Sequence, residues 1–265
     1  MASLSISTCQ APNMDFVCRD LAGYLSQRLS IPVEPQLDIP WQERNRRLDA
    51  GQIDLCWICG LPYVLKADQP DAQIELLAAP VMLGERYQNR PIYFSDVVVS
   101  SRAPFRQFSD LRGASWSYNE PGSQSGYNIT RYTLAVRGLF DGFFGRVIEA
   151  GAHQTSLKMI LKGEVDASAI DSTVLEQELE NDPAFASQIR VIDTFGPSPI
   201  PPWVISKRTP VELKVRIKEL FSCMDQDPEG RSLMARGAMR RFASVVDVDY
   251  DPIRAMAKLA ERVTL

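Results

Sequence analysis

The stretch Ala114-Ser115-Trp116-Ser117-Tyr118, followed by Asn119-Glu120-Pro121-Gly122-Ser123-Gln124-Ser125-Gly126-Tyr127, decides how the chain is read. A short alternating run predicts a strand over Ala114 to Tyr118, and a helix is predicted over Tyr127 to Arg137. The loop between them brings two hydroxyls and several backbone N–H groups to a helix start. Four donors lack intrahelical partners there, and the positive end of the helix dipole is concentrated. An anion is the natural ligand of such a loop; the alternative is that Ser123 or Ser125 only caps the helix. No Lys follows the second Gly, so this is not a Walker A loop, nor is it a dinucleotide fingerprint.

Working outward, strands and helices alternate on both sides. Leu4 to Ser7 reads as a strand, and Phe16, Val17, Leu21, Tyr24, Leu25 and Leu29 fall at helical spacing. Ser30 to Asp38 gives a second strand, Trp41 to Ala50 a helix ended by Gly51, and Ile53 to Ile58 a third strand. Two β-rich runs follow, Leu76 to Met82 and Ile92 to Ser100, the latter long enough to cross between lobes. Beyond the Ser-rich loop come a strand at Gly145 to Ala150, a helix at His153 to Leu161 and a strand at Ala167 to Ile170. A helix at Ser172 to Glu180 and a strand at Ile189 to Asp193 complete this part. Four prolines between Phe195 and Trp203 make a rigid extended connector. Helices at Val211 to Met224 and Asp251 to Val263 are expected to pack back on the first unit. The simplest assembly is α/β: two lobes, each a mixed, mainly parallel sheet flanked by helices. Residues 1–95 and 198–265 form lobe 1, and residues 96–197 form an inserted lobe 2. Two crossovers fall near 95–97 and 195–199, and the cleft between the lobes is the expected ligand site.

Composition narrows the function classes. The 265 residues carry 29 Lys and Arg against 33 Asp and Glu, a formal net charge of −4. No basic footprint is present, which disfavours a nucleic-acid partner. A chain of this length removes about three quarters of its unfolded surface from water, so it needs no disulfide or metal staple. Five cysteines, an odd number, fit a reducing compartment better than a secreted one. Met1 to Met14 has no basic start and no signal-peptide apolar region, and no 18-residue apolar window occurs, so no direct membrane insertion is expected. A mature exported chain carrying an added Met would look the same. Localisation is therefore periplasmic for a mature exported chain and cytoplasmic otherwise.

Other candidates are weighed against plainer roles. His153, the single histidine, opens a predicted helix just after a strand and faces the same cleft; a capping or core histidine is the alternative. Asp171, at a strand end, faces the cleft or caps the helix beginning near Thr173. Tyr63, in a loop after the third strand, and Tyr93, in the crossover strand, line the cleft or belong to the core. Cys56-Trp57-Ile58-Cys59 lies at a strand end rather than at the start of a helix, where redox pairs sit, and reads as small buried hydrophobes. A thiol cluster with Cys9 is the minority alternative. The basic cluster Arg236 to Arg241 reads as a solvated helix face. No metal and no cofactor are expected.

The segments Gly51-Gln52-Ile53-Asp54-Leu55 through Tyr63, Glu120 to Tyr127, and Gly151-Ala152-His153 carry a family resemblance. So do Gly163-Glu164-Val165-Asp166-Ala167, Ala169-Ile170-Asp171-Ser172, Ser198-Pro199-Ile200-Pro201-Pro202 and Asp249-Tyr250-Asp251-Pro252-Ile253. Taken in order, they resemble the phosphate/phosphonate/phosphite solute-binding proteins of ABC importers. The resemblance implies a type II periplasmic-binding-protein fold, a small anionic ligand (phosphate, phosphite or a phosphonate), an ABC permease as partner and a monomer. By motif it implies that Ser123, Gln124, Ser125 and His153 hold the oxyanion, and that Asp171 accepts from a protonated P–OH. Tyr63 and Tyr93 are then the first-lobe aromatic contacts. Neutral donors can bind an oxyanion without a basic cluster, and a nearby carboxylate penalises a dianion. Gln124 replaces the middle hydroxyl of the family's S-T-S loop with an amide able to reach over the ligand, and Gln154 stands where an acid is common, so altered oxyanion selectivity is expected. The rival readings are a cytosolic enzyme of the same fold, with His153 and Asp171 as acid and base, and a standalone sensor.

Overall fold

The computed structural model describes residues 3–140 and 142–265. The chain divides into two compact units: Met1–Ile92 with Pro199–Tyr250, and Tyr93–Ser198 with Asp251–Leu265. The chain therefore passes between units three times rather than the expected two, the third passage at Tyr250/Asp251.

Unit 1 begins with β1 (Leu4–Thr8), α1 (Asp15–Leu29), β2 (Val33–Pro35), α2 (Trp41–Asp49), β3 (Leu55–Trp57), α3 (Gly60–Ala67) and β4 (Ile74–Met82). After the chain leaves along β5 (Ile92–Ser100), unit 1 is completed by β10 (Trp203–Ser206), α7 (Val211–Cys223), α8 (Pro228–Arg236) and β11 (Met239–Ala243). Its sheet runs β11-β4-β10-β3-β1-β2. β1 pairs parallel with β2 and β3, whereas β10 runs antiparallel to β3 and β4, and β11 antiparallel to β4. The sheet is mixed as expected but not mainly parallel, because the returning strand β10 enters between β3 and β4 in the opposite direction. Trp203 lies opposite Trp57, and their rings stack with centroids 5.7 Å apart.

Two sequence readings in unit 1 change. Tyr63 lies in helix α3, not a loop; Pro62 is accommodated in its first turn, where a backbone N–H would lack a helical partner anyway. The cluster Arg236 to Arg241 is not one helix face: Arg236 ends α8, and Arg240 and Arg241 belong to strand β11.

Unit 2 contains β5, β6 (Ser115–Tyr118), α4 (Ile129–Val136), β7 (Arg146–Glu149), α5 (His153–Lys162), β8 (Ala167–Asp171), α6 (Ser172–Asn181) and β9 (Ile189–Pro199), and it closes with α9 (Asp251–Ala260). The sheet order is β7-β6-β8-β5-β9. β6 pairs parallel with β7 and β8, and β5 antiparallel with β8. Strand β9 continues through the proline-rich run as far as Pro199, beyond the expected end at Asp193. One face of the sheet carries Trp116, Val97, Val99, Ala167, Ala169 and Phe195 under Phe108, Phe143 and Phe144. The other carries Val98 and Ile170 under Leu157, Ile160 and Leu175.

Helix α9 corrects the domain assignment. It packs against α4, and Met256 and Val263 enter the unit 2 core, while the Arg131 guanidinium donates to the Val263 carbonyl. The helix was expected in lobe 1, yet its apolar face is covered by unit 2.

The two units share one local device. In unit 1, Gly51 (φ 64°) ends the turn after α2 and Asp54 then clamps Ser5; in unit 2, Gly163 (φ 70°) follows α5 and Asp166 clamps Ser115. In each, one carboxylate oxygen accepts from the serine N–H (2.8 Å in both) and from its hydroxyl (2.8 and 2.6 Å), while the hydroxyl accepts the aspartate N–H at 3.0 Å. The clamp ties together the starts of neighbouring parallel strands, β1 with β3 and β6 with β8. It aligns the carboxyl ends of those strands, where unit 2 carries its polar cluster.

Candidate functional site

The polar cluster of unit 2 forms where β6 turns into α4. Between them the chain makes a π-helical turn at Gln124–Asn128, with Ser123 as its cap. The Ser123 hydroxyl accepts the Gly126 N–H at 3.0 Å, so the capping role is realised. Its Oγ also lies 3.4 Å from Ser125 Oγ, which in turn lies 2.9 Å from His153 Nε2. His153 is the first residue of α5, launched by Gly151 at φ 79°. Ser123, Ser125 and His153 are all buried, and they form one chain of hydrogen-bonding groups at two helix starts.

Gln124 sits within this cluster but differs from expectation. Its Oε1 accepts from Asn128 Nδ2 at 2.7 Å, and its Nε2 faces Ser198 Oγ at 3.4 Å and Met256 Sδ at 3.2 Å. The side chain is turned into unit 2 and fully buried, so the amide does not reach outward over a ligand. Asn128, Ser198 and Met256 are the partners that sequence reading missed. Asn128 follows Gln124 by four residues, a spacing that places two side chains side by side on a helical turn; nothing local connects Ser198 or Met256 to the loop.

Gly126 sits at the centre of this packing. A β-carbon there would lie 2.1 Å from Asn119 Oδ1 and 3.2 Å from His153 Cε1. Only glycine lets the loop backbone pass so close to both side chains.

Asp171 ends β8 and caps α6: its Oδ1 accepts from the Thr173 N–H at 2.9 Å and from the Thr173 hydroxyl at 2.7 Å. Ser95 is its cross-strand partner on β5, which puts Tyr93, two residues earlier on the same face of that strand, beside it. Tyr93 is fully buried. The π-helical turn packs against β8, so the strand bearing Asp171 adjoins the serine loop. Tyr63 belongs to unit 1, where its hydroxyl donates to Asp247 at 2.6 Å and its ring meets Tyr250 edge-on at 4.7 Å.

Burial sets the charge state of the cluster. It lowers the His153 pKa to about 4, so the ring is neutral at pH 7. Burial likewise raises Asp171 to about 6, assisted by the Asp96 charge and opposed by the Thr173 hydrogen bonds. Glu120, just ahead of the loop, is pushed up to about 7 by burial and by the charge of Glu149. Unit 1 holds a buried cation, Arg44, but its guanidinium is engaged by the Thr8, Leu37 and Ile39 carbonyls and by Asp15, which makes it a structural group.

Cys9 and Cys56 approach to 3.9 Å, yet no group of three metal-ligating side chains occurs among the described residues. Burial raises the Cys56 thiol well above its ordinary value and pushes Cys18 to about 12, consistent with inert packing residues. No helix among the described residues is long and apolar enough to cross a membrane.

Two α/β units of mixed sheet are the fold of solved periplasmic solute-binding proteins, which align with nearly the whole chain. A binding protein component of an ABC phosphonate transporter from Pseudomonas aeruginosa aligns with a TM-score of 0.85 at 17% identity, over 98% of this chain and 86% of that one. PhnD1 from Prochlorococcus marinus, solved in complex with methylphosphonate, aligns with a TM-score of 0.85 at 17% identity, over 98% and 99%. The aliphatic sulphonate binding protein SsuA of Escherichia coli is more distant, with a TM-score of 0.61 at 14% identity over 98% and 85%. The model of the periplasmic substrate-binding proteins of phosphonate ABC transporters matches residues 8–250. The chain belongs to that family: it is a transporter's substrate-binding component and not an enzyme.

Proposed function

We propose that this chain captures a small phosphorus oxyanion, a phosphonate in the first instance with phosphite and phosphate as related ligands, and delivers it to an ABC permease from the periplasm. The observation that carries the reading is the continuous buried chain Ser123–Ser125–His153, made of neutral donors at two helix starts. Helix dipoles and convergent hydroxyls stabilise an oxyanion in a dry site without a counter-charge. Asp171 supplies the complementary acceptor. A carboxylate there takes a hydrogen bond from a P–OH group and repels a dianion, which favours a singly protonated ligand. Ser123 and Ser125 are assigned as side-chain donors, His153 as a donor acting through Ser125, Gln124 as a contributor through its backbone N–H, and Tyr63 and Tyr93 as aromatic contacts.

Calorimetric titration with methylphosphonate, aminoethylphosphonate, phosphite and phosphate tests the reading. It requires saturable binding of at least one of these ligands, weakened at least tenfold by Ser125→Ala. Heat with none of the four, alongside binding of a carboxylate, would remove the oxyanion assignment.

A further inference from the structure

Behind the Ser125–His153 pair, four polar atoms of unit 2 are buried without a hydrogen-bond partner: His153 Nδ1, Ser156 Oγ, Ser117 Oγ and Asn119 Oδ1. They share a small region. His153 and Ser156 lie one turn apart on the buried face of α5, and α5 packs on β6. Ser117 and Asn119 are two residues apart along β6 and its exit, so they fall on the same side of that strand. Asn119 Oδ1 and His153 Cε1 both crowd Gly126. Buried polar atoms are costly unless joined directly or through an internal water, which typically makes about three hydrogen bonds.

A neutral imidazole carries one proton, and its position decides which way the hydrogen bonds run. With the proton on Nδ1, Nε2 accepts a hydrogen bond from the Ser125 hydroxyl, and Ser125 then turns lone pairs toward the ligand. With the proton on Nε2, His153 donates to Ser125 Oγ, and the Ser125 proton is free to point outward. Only the second arrangement suits an anion, and donors in series strengthen one another. It requires a donor facing Nδ1, and the Ser117 and Ser156 hydroxyls can fill that role.

We propose that Ser117 and Ser156 are positioning residues that donate to His153 Nδ1 through a bridging water, and so hold the ring as the Nε2–H tautomer that makes Ser125 an outward donor. The proposal rests on the oxyanion reading above and adds the residues that set its polarity. Groups that orient a metal-ligating histidine are commonly worth at least about tenfold in affinity, and a loss of the same order is expected here.

His153 is the only histidine, so imidazole ¹⁵N spectra of the intact protein contain a single pair of ring resonances to interpret. At neutral pH the wild type is expected to show a protonated Nε2 and an unprotonated Nδ1. Ser117→Ala with Ser156→Ala should shift the population toward Nδ1–H and weaken methylphosphonate binding about tenfold, with the thermal transition retained; Ser156→Thr, which keeps a hydroxyl, should restore both. A wild-type ring protonated on Nδ1, as the Asn119 carbonyl would favour, overturns the proposal. So does an unchanged tautomer in the double variant, or a changed tautomer with unchanged affinity. Failure of the wild type to bind any phosphorus oxyanion overturns the functional reading instead, and the spectrum separates the two results.

Discussion

Gly126→Ala isolates the packing that brings the serine loop onto His153. Gly126 lies in the π-helical turn without a left-handed backbone, so alanine meets no conformational barrier, and its methyl is the whole perturbation. That methyl would stand 2.1 Å from Asn119 Oδ1, where ordinary contact begins at 3.4 Å, and 3.2 Å from His153 Cε1. The Asn119 amide must therefore retreat by more than an ångström, while the imidazole needs only a few tenths. Overpacking of this kind costs about 1–3 kcal/mol. Replacing a helical glycine returns up to about 1 kcal/mol. The net destabilisation of about 0–3 kcal/mol lowers the melting temperature by at most roughly 12 °C. Binding should suffer more, because the imidazole moves relative to a 2.9 Å contact with Ser125: an affinity loss of at least tenfold for methylphosphonate, measured by calorimetry at a temperature where the variant is fully folded. An alanine variant with wild-type affinity and wild-type stability would refute the close packing of Asn119, Gly126 and His153.

Four further outcomes are expected. The His153 pKa is depressed to about 4, so the stability it contributes is present above pH 6.5 and is lost as pH falls through 4. The Asp171 pKa is raised to about 6, so its contribution is present below its ordinary value and is lost as pH rises through 6. Each is worth roughly 3 kcal/mol with opposite sign; denaturant titrations from pH 7 to 4 should show acid stabilising His153→Asn relative to the wild type and destabilising Asp171→Asn, and parallel profiles for all three proteins would contradict both shifts. Removing either strand clamp, by Asp54→Ala or Asp166→Ala, should cost about 2–3 kcal/mol by stranding a serine N–H, whereas a loss below half that value would show that the clamp is redundant. Met256→Ala should cost about 2–5 kcal/mol and should raise hydrogen exchange in unit 2 amides such as those of α4 rather than in unit 1, which checks the assignment of α9. A thiol reagent should modify exposed Cys223 quickly and spare Cys18 and Cys56 until unfolding; prompt reaction of all five thiols would contradict their burial.

Much of the fold was legible because periodicity is local. The strand before the serine loop and the helices at His153 and Ser172 were read close to where they lie, since each combines an apolar period with a cap or a stop. Readings failed where local pattern was neutral about its partner. Helix α9 carries an apolar stripe, but a stripe does not say which sheet covers it; Met256 and Val263 settle that only through contacts with elements far earlier in the chain, such as α4 and the end of β9. The direction of β10 depends on where the returning chain inserts, which no window contains. Tyr63 was read in a loop, whereas Pro62 before it is at home in the first turn of a helix. For the polar cluster of unit 2, the hydroxyls and His153 could be picked out from their place at helix starts. The inward turn of Gln124 could not, because Ser198 and Met256 lie 74 and 132 residues away.

The third passage of the chain between units gives the molecule a practical asymmetry. Leu4 is built into the sheet of unit 1, whereas the segment ending at Leu265 belongs to unit 2. Labels attached at Ser3 and Leu265 therefore ride on different bodies. A donor and acceptor fluorophore placed there would convert any ligand-driven change in the arrangement of the units into an optical signal, with no reporter inserted into either core.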